Sequence, residues 1–344
     1  MNGNSDTGSG GVIAGGSWCV DHVKIIDAYP SLDSLGLILG TSRSNGGGPY
    51  NLLKDLAIMG AAFPLYGVGL LGNDEDGRFI LDDCRTYGID TRFMRKSDNH
   101  PTSYTDVMTE EASGRRSFFH QKGSNSFLGE DHFEFEAVKA GLFHLAYINL
   151  LELLDAIGED GETGATRVLR RARAAGLRTS VDLVSFPRED FAAIVQPSLP
   201  QVDILFLNEL EASWLTGIDL TGEGPIVLEK AREALEVING MGVKEQVILH
   251  FPDAATALDK AGGFLIQGSV NVPAGEIAGA AGAGDAFAAG FLFGTHEGWE
   301  TARCLQLGVC VAASCLRDAT TSGSIRPLAE CLRLGEKLGY REVV

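Results

Sequence analysis

A single carboxylate ends a run of glycine and alanine in the last quarter of the chain. Residues 279–287 read GAAGAGDAF, and an apolar helix is predicted to begin just after Asp285. Successive backbone N–H groups without large side chains, followed by a helix N-terminus, form a concave site for an anion. A carboxylate there repels a phosphate, but it can accept the proton of a hydroxyl that attacks one. The run therefore indicates phosphoryl transfer to an alcohol, with an Asp that only caps the helix as the structural alternative.

A glycine-rich loop and a lone aspartate nearer the N-terminus offer hydrogen bonds to hydroxyl groups. Residues 45–51 read NGGGPYN and open a predicted helix; the glycines let a ligand approach the backbone, and the Asn51 amide can donate and accept. Asp21 lies five residues beyond Gly16, where the first predicted strand ends. Ligands bind beyond the carboxyl ends of strands in doubly wound sheets, so this carboxylate can accept bonds from two sugar hydroxyls. The structural alternatives are a loop with an N-capping Asn and an Asp in a surface turn.

Two oxygen-bearing side chains one helical turn apart are candidates for holding magnesium. A buried strand at 203–207 runs into a helix that begins with Asn208, and Glu211 follows three residues later. Both side chains point from the same helix end, and Mg²⁺ prefers oxygen ligands and keeps several waters. Because Asn-x-x-Glu is also a capping pattern, a purely structural cap is the alternative.

A literal G-x-G-x-x-G motif at 67–72 raises a different enzyme class, a dinucleotide-dependent oxidoreductase. The motif follows a predicted strand, as a pyrophosphate-binding loop does. Three carboxylates at 74–76 come directly after it and would crowd the helix end where the pyrophosphate sits. The charge of these residues disfavours the dinucleotide hypothesis.

Short β-branched runs alternate with longer helical periods along most of the chain. This alternation predicts an α/β fold in which a mostly parallel sheet is covered by helices on both faces. The predicted strands are 11–14, 65–68, 142–146, 179–183, 203–207 and 247–249. The predicted helices are 52–59, 76–87, 166–175, 225–239, 286–295 and 301–316, and Pro225 opens the fourth.

Two segments interrupt the alternation and predict a small sheet outside the main one. Residues 23–39 hold short alternating pieces, and 103–121 read as a β-hairpin. Strands inserted there are placed to act as a lid over a ligand. His120 and Lys122, at the edge of this lid, can reach an acidic sugar, or the strand that carries them is simply solvated.

The composition limits the class of protein and its partners. The chain has 344 residues, 44% of them hydrophobic, and a formal net charge of −18. This size predicts one large α/β domain, and the negative charge disfavours nucleic acid and anionic membranes as partners. The six cysteines form no C-x-x-C pair, which predicts buried free thiols and a cytoplasmic location. Residues 1–10 are polar and glycine-rich, so we expect them to be flexible and see no signal peptide in them.

In their order and spacing these motifs resemble the ribokinase-like PfkB family of carbohydrate kinases. The resemblance runs from residue 12 to residue 323 and includes the 279–287 run, the 45–51 loop, the Asn-x-x-Glu pattern and Asp21. It implies a Rossmann-like, doubly wound, mostly parallel sheet in a single kinase domain at 11–325. It also implies a small β-sheet lid, inserted at about 22–40 and 102–122, through which two copies can form a homodimer.

The resemblance also implies an activity and a role for each motif. The activity is ATP-dependent phosphorylation of a hydroxyl of a sugar or sugar acid, and a primary hydroxyl is the expected acceptor. Asp285 is then the general base, and the anion hole is formed by the amides of Gly282, Ala283 and Gly284. Mg²⁺ is positioned by Asn208 and Glu211. The nucleotide contacts Asn208, His250, Gly282 and Gly284, and the substrate contacts Asp21, Gly46, Gly47, Asn51 and His120.

Two positions depart from the family pattern. Gly279 and Ala280 stand where the family carries Asp-Thr, and that aspartate helps to bind a monovalent cation, so dependence on potassium is left open. His250 begins a His-Phe-Pro segment in place of a Thr-x-Gly turn that faces the nucleotide, so it either takes over a phosphate contact or packs at the strand end. These departures keep open the alternative of a homologue that binds sugar or nucleotide without catalysis. A nucleoside kinase of the same fold is the other alternative, because the acceptor is selected by lid side chains whose positions the sequence does not fix.

Overall fold

The structure, a computed structural model, describes residues 10–222 and 226–343 of the chain. Within those residues the strands form one large and one small sheet. The strands are β1 (Gly11–Gly16), β2 (Cys19–Ile26), β3 (Ile38–Gly46), β4 (Leu65–Gly72), β5 (Asp90–Ser97), β6 (Tyr104–Glu110), β7 (Arg116–Gln121), β8 (Ala140–Ile148), β9 (Arg178–Leu183), β10 (Ile204–Asn208), β11 (Gln246–Phe251), β12 (Ala254–Asp259) and β13 (Phe264–Gly268). The α-helices are α1 (Gly48–Met59), α2 (Glu75–Thr86), α3 (Glu152–Asp155), α4 (Gly164–Ala174), α5 (Phe191–Val195), α6 (Glu209–Thr216), α7 (Leu228–Gly240), α8 (Ala283–His296), α9 (Thr301–Cys315) and α10 (Leu328–Leu338).

The large sheet has nine strands in the order β13-β12-β11-β10-β9-β8-β1-β4-β5. Every neighbouring pair from β11 to β5 is parallel, and the two pairs at the β13 edge are antiparallel. All six residues of the interior strand β1 are buried, because helices cover both sides of a parallel sheet. The predicted mostly parallel, doubly wound α/β sheet is confirmed.

Alternate residues of the central strands enter two separate apolar cores. On β10, Phe206 packs against Phe291 of α8 with the ring centroids 5.4 Å apart, whereas Leu205 and Leu207 join the core that contains α4 and α7. Burying an apolar side chain of this size stabilises the fold by about 1.5–3 kcal/mol. The two cores fix the sheet between its helical layers, so the carboxyl ends of the strands form a stable edge for a site.

The small sheet has the strand order β3-β2-β6-β7. β2 pairs with β6 in parallel, and the two outer pairs are antiparallel. The sheet includes all of β2 and β3 as well as the predicted hairpin, so it is larger than the 22–40 and 102–122 insertions expected for the lid. The difference arises because β2 starts only three residues after β1 ends, and Asp21 therefore lies inside a strand rather than in a turn.

Several elements begin or end away from their predicted bounds. α1 begins at Gly48 rather than at 52, because Pro49 in the first turn needs no partner for an N–H group. α10, which the sequence pattern did not indicate, packs on α9 and carries the fold past the expected domain end at 325. α7 begins at Leu228. Pro225, its expected first residue, lies outside the described residues, as do residues 1–9 of the segment expected to be flexible.

Two further findings concern the cysteines and the helices. All six cysteines are buried free thiols, as predicted. In the described ranges, 10–222 and 226–343, no helix is both long enough and apolar enough to cross a bilayer.

Candidate active site

A cavity of about 720 Å³ lies where the carboxyl ends of the central strands meet the small sheet. It brings together motifs that are far apart in the sequence. The predicted site residues that line it are Asp21, Gly47, Asn51, His120, Asn208, Glu211, His250, Gly282, Gly284 and Asp285. Gly46 and Ala283 are not among the residues that line it.

Asp285 lies in the first turn of α8 with only 3% of its surface exposed. The Asn51 amide donates to its Oδ2 at 2.7 Å, and the Tyr147 hydroxyl donates to Oδ2 at 2.8 Å and to Oδ1 at 3.0 Å. Burial raises the pKa of Asp285 to about 6, although both donors act to lower it. The carboxylate is therefore ionised at neutral pH, and it is basic enough to accept a proton from an alcohol in a transition state.

The residues before Asp285 present backbone N–H groups at the N-terminus of α8. Gly282 is the N-cap residue, in the left-handed conformation with φ 78°, and no side chain of the described residues caps the helix there. Gly282 and Gly284 line the cavity, whereas the N–H of Ala283 donates to the carbonyl of Ala280 at 3.2 Å. Two of the three residues predicted to form the anion hole thus line the cavity at a helix N-terminus, a position that favours an anion.

Asp21, on β2, lines the cavity from the small sheet and is buried. Burial raises the pKa of Asp21 to about 7, opposed by a hydrogen bond from Thr105 and assisted by the charge of Asp285. Gly46 packs behind the Asp21 carboxylate, and a side chain at position 46 would collide with it. Asp21 thus lines the cavity, and Gly46 leaves room for its carboxylate.

Asn51 also lines the cavity, but both polar atoms of its amide have partners. Its Nδ2 donates to Asp285, and its Oδ1 accepts from Asn45 Nδ2 at 2.7 Å. Asn45 Nδ2 also donates to Ser322 Oγ at 2.9 Å, and the Ser322 hydroxyl donates to the buried Asp55 carboxylate at 2.5 Å. This chain of bonds orients the Asn51 amide. The residue predicted to bind substrate hydroxyls is therefore also a support for the carboxylate.

Asn208 and Glu211 form a capping box at the start of α6. Asn208 Oδ1 accepts from the backbone N–H groups of Leu210 and Glu211, and Glu211 Oε2 accepts from the backbone N–H of Asn208 at 3.0 Å. The cap that the sequence offered as the structural alternative is thus present. Both residues also line the cavity, so they remain accessible to a ligand while they cap the helix.

The same corner of the cavity fits a magnesium ion. Burial raises the pKa of Glu211 to about 7, and burial together with the charges of Asp285 and Glu211 raises the pKa of Asp182 well above its usual range. A cation would relieve this repulsion, and carboxylate oxygens are ligands that Mg²⁺ prefers. Among the residues described, no three His, Cys, Asp or Glu side chains converge on one point. An ion here would therefore keep several water or nucleotide oxygens as ligands.

Tyr147 and Asp182 are the two cavity residues without a prediction that bear most directly on Asp285, Tyr147 by hydrogen bonds and Asp182 by charge. Asp182 is near the end of β9, so a search for carboxylates at the ends of predicted strands would have found it. Tyr147 has a φ of 70°, a left-handed conformation that is uncommon for an aromatic residue. Nothing in the sequence pattern signals that conformation, because it depends on the packing around the strand end.

The two predicted histidines line the cavity as neutral side chains. Burial lowers the pKa of His250 to about 4, and its ring packs against Phe287 of α8 with the centroids 5.4 Å apart. Burial, assisted by the charge of Lys122, lowers the pKa of His120 to about 4. His250 thus packs at the strand end, as one of its two interpretations holds, and it stays within reach of a ligand.

Arg116 of the small sheet contacts one of the positions that depart from the family pattern. Its Nη2 donates to the carbonyl of Ala278 at 3.0 Å. The guanidinium fills the space over Gly279, where any side chain would collide with it. A positive charge from β7 therefore lies beside the turn that leads to the anion site.

The glycines of the 67–72 motif serve packing instead of ligand binding. The motif lies inside β4 rather than in a loop. The Trp18 indole packs against Gly67 and Gly69 and donates from Nε1 to the carbonyl of Val68 at 2.8 Å. The motif therefore does not form the glycine-rich loop between a strand and a helix that the oxidoreductase hypothesis requires.

Residues 18–328 match the family described as pfkB family carbohydrate kinase. Ribokinase from Arabidopsis thaliana is 28% identical over 265 residues, which cover 74% of this chain and 63% of that protein. Probable fructokinase-7 from the same plant is 27% identical over 216 residues, 60% of this chain and 60% of that protein. The matches thus span about three fifths of the length of these curated relatives.

Solved structures resemble the chain over nearly its whole length. Arabidopsis thaliana ribokinase complexed with ribose and ATP superposes with a TM-score of 0.76 at 24% identity, covering 95% of this chain and 98% of that one. Ribokinase from Thermotoga maritima gives a TM-score of 0.76 at 17% identity, covering 95% of this chain and 99% of that one. At these identities the likeness shows a shared fold.

Proposed function

This chain belongs to the pfkB family of carbohydrate kinases, and we propose that it transfers the terminal phosphoryl group of ATP to a hydroxyl of a sugar or sugar acid. A primary alcohol is the expected acceptor. The observation that carries the proposal is the buried Asp285 carboxylate in the first turn of α8, at the cavity wall that Gly282 and Gly284 also line. The buried thiols favour a reducing cytoplasm as the compartment of the reaction.

The proposed reaction gives each group of the chain a fixed role. Asp285 accepts the proton of the substrate hydroxyl while the hydroxyl oxygen attacks the terminal phosphorus and the bond to the departing ADP breaks. The N–H groups of Gly282 and Gly284 donate to the phosphoryl oxygens as negative charge develops there. Asn51 and Tyr147 hold the carboxylate in place, so the transition state requires little reorganisation.

The substrate hydroxyls lie, in this proposal, against the small-sheet wall of the cavity. Asp21 can accept from two of them, and His120 can contact a third. The Lys122 side chain lines the same wall and can attract the carboxylate of a sugar acid. Phe118 and Phe186, which are 56% and 42% exposed, also line the cavity. Because exposed aromatic rings can stack on a base, a nucleoside is the second candidate acceptor.

A screen for ADP release tests the proposed function. Sugars, sugar acids, polyols and nucleosides are each incubated with the protein, ATP and Mg²⁺. ADP release that requires one of these alcohols supports the kinase and identifies the acceptor class. Binding of ATP and a sugar by calorimetry, with no ADP released in the presence of any alcohol, would instead establish a homologue that binds without catalysis.

Asn208 and Glu211 are the residues proposed to hold Mg²⁺, which when bound neutralises phosphate charge. Glu211→Gln is expected to raise the Mg²⁺ concentration for half-maximal activity at least about tenfold, since it removes the charge that attracts the ion. Glutamine still completes the capping box, so the melting temperature should change little. Initial rates over a Mg²⁺ series at fixed ATP measure the effect. An unchanged Mg²⁺ requirement would assign Glu211 to capping alone.

Exposed leucine and isoleucine side chains beside the small sheet support a homodimer through the lid. Leu32, Leu35 and Ile38 are 96%, 85% and 55% exposed, and contiguous exposed apolar surface marks interaction sites. Leu35→Asp is expected to shift the protein toward the monomer in analytical ultracentrifugation. Leu153→Asp, at a leucine that is 52% exposed outside the small sheet, should leave the mass unchanged. A monomeric wild-type protein at all concentrations tested would contradict the dimer.

A further inference from the structure

We propose that Tyr147 is the positioning residue for the general base, and that its hydroxyl holds the Asp285 carboxylate in one orientation and in its charged form until a substrate hydroxyl binds. This inference rests on the proposed kinase function. It concerns a residue that the sequence motifs do not include. Its support is geometric and comes from the backbone, the ring and the hydroxyl of Tyr147 separately.

The backbone of Tyr147 is held in an unfavourable conformation. Its φ of 70° lies in the left-handed region, which costs a non-glycine residue free energy and persists only where the surroundings enforce it. Two residues later, Asn149 has a φ of 87°. The end of β8 is thus bent at two neighbouring points. Such strain is concentrated at functional sites, where it directs a side chain that a regular strand would point elsewhere.

The ring of Tyr147 is fixed by close packing on the N-terminus of α1. A Cβ at position 48 would lie 2.9 Å from Cε1 of the ring and 2.5 Å from the Ala146 side chain. Only glycine therefore permits the ring to lie where it does. Gly48 directly follows the cavity residue Gly47, so the glycine-rich loop predicted to admit a ligand also admits this ring.

The hydroxyl of Tyr147 meets both oxygens of Asp285, at 2.8 Å and 3.0 Å. In the described part of the chain, the side chains that donate to this carboxylate are Tyr147 and Asn51. Burial raises the pKa of Tyr147 well above its usual range, so the hydroxyl keeps its proton and acts only as a donor. It therefore orients Asp285 and does not compete with it for the substrate proton.

The titratable groups around Asp285 lie on several elements. Arg116 on β7 and the cavity residue Lys122 are positive, but neither is among the groups that shift the pKa of Asp285. The groups coupled to Asp285 by charge are Cys19 and Asp21 on β2, Asp55 on α1, Asp182 on β9 and Cys315 on α9. His250 on β11, whose ring lies near Gly284, is neutral. Burial raises the pKa of Asp285, and the Tyr147 hydroxyl is one of the two groups, with Asn51, that lower it.

Tyr147→Phe tests the inference through the pH dependence of kcat/KM. The acid limb is expected to move upward by about one to two pH units, the contribution of a hydrogen bond to a charged group. The direction follows from the donor, because removing it favours the protonated base, so activity is lost below a higher pH. The rate should fall about 10- to 100-fold near pH 6 and recover most of its value near pH 9. An equal loss at every pH would show a packing role only and overturn the inference.

Tyr50→Phe is the matched control. The Tyr50 hydroxyl donates to the Asp83 carboxylate at 2.5 Å, away from the cavity. Tyr50→Phe therefore loses a tyrosine–aspartate hydrogen bond of the same kind and leaves the hydrogen bonds to Asp285 in place. Its melting temperature can fall, but the acid limb should stay where it is in the wild type. A shift of the limb as large as that of Tyr147→Phe would remove the special role of Tyr147.

A second measurement separates this inference from the kinase proposal. ¹³C-carboxyl NMR titration of aspartate-labelled protein gives the pKa of Asp285, with the resonance assigned by its loss in Asp285→Asn. An upward shift in Tyr147→Phe supports the inference even if no alcohol is phosphorylated, in which case only the kinase proposal fails. An unshifted resonance in an active kinase overturns the inference and leaves the proposed function intact.

Discussion

Asp285→Asn is expected to lower kcat by about a hundredfold or more, the scale of losing a general base, while ATP binding stays close to that of the wild type. The amide has nearly the size and shape of the carboxylate, so the cavity keeps its form. It cannot accept a proton from an alcohol, and its NH₂ group competes with the donors Asn51 and Tyr147 that now face the carboxylate. Steady-state rates with the acceptor from the ADP screen, and calorimetry with ATP, measure the two effects.

The control for this variant is another aspartate that accepts from a tyrosine. Asp83 accepts hydrogen bonds from Tyr50 and Lys54 outside the cavity. Asp83→Asn should therefore leave kcat within about twofold of the wild-type value. Its free energy of unfolding should fall, as it does for most single substitutions. A turnover close to normal in Asp285→Asn would remove this residue from its proposed role. Loss of ATP binding together with turnover would point to collapse of the cavity instead.

Gly282→Ala is expected to produce the second-largest loss, about a hundredfold in kcat/KM, comparable to removal of one donor from an anion hole. A Cβ at position 282 would lie 2.8 Å from the Cβ of Thr321, so the backbone must move. The left-handed φ of 78° adds about 1 kcal/mol of strain for alanine. Both effects turn the N–H groups at the start of α8 away from the phosphoryl oxygens. Rates over a series of ATP concentrations measure this loss.

Gly298→Ala separates the two causes. Gly298 has a similar φ of 70°, but a Cβ there would meet no atom within 4 Å. It therefore carries the same backbone strain without a collision and lies outside the cavity. We expect a small loss of melting temperature and an unchanged kcat/KM. Equal activity of Gly282→Ala and Gly298→Ala would show that the position of the Gly282 amide does not matter for the reaction.

The parallel sheet was predictable because its signal is local and repeated. The first four residues of β10 are apolar, and its last residue, Asn208, begins a capping pattern, so both the strand and the helix can be located from the sequence. The same holds for α8, where a glycine-rich run gives way to an apolar helix. The residues of these motifs converge because the carboxyl ends of parallel strands meet at one edge of the sheet.

The features that escaped prediction depend on contacts between distant segments. The small sheet joins β2 to β6 across more than eighty residues, and neither strand reveals the other as its partner. The amide of Asn51 was expected to face hydroxyls, but Asn45 and Ser322 fix its orientation toward Asp285. The bend at the end of β8, which turns the Tyr147 side chain toward Asp285, likewise results from packing and not from local propensity.

The contact between Arg116 and Gly279 sets the cost of a substitution at position 279. The guanidinium occupies the volume that a side chain at 279 would need, and it donates a hydrogen bond to the carbonyl of Ala278. Because the colliding atoms are the end of a flexible side chain, a larger residue at 279 displaces the guanidinium and leaves the backbone in place. Descendants with a side chain at 279 should therefore keep the fold but lose the hydrogen bond that joins two segments 162 positions apart.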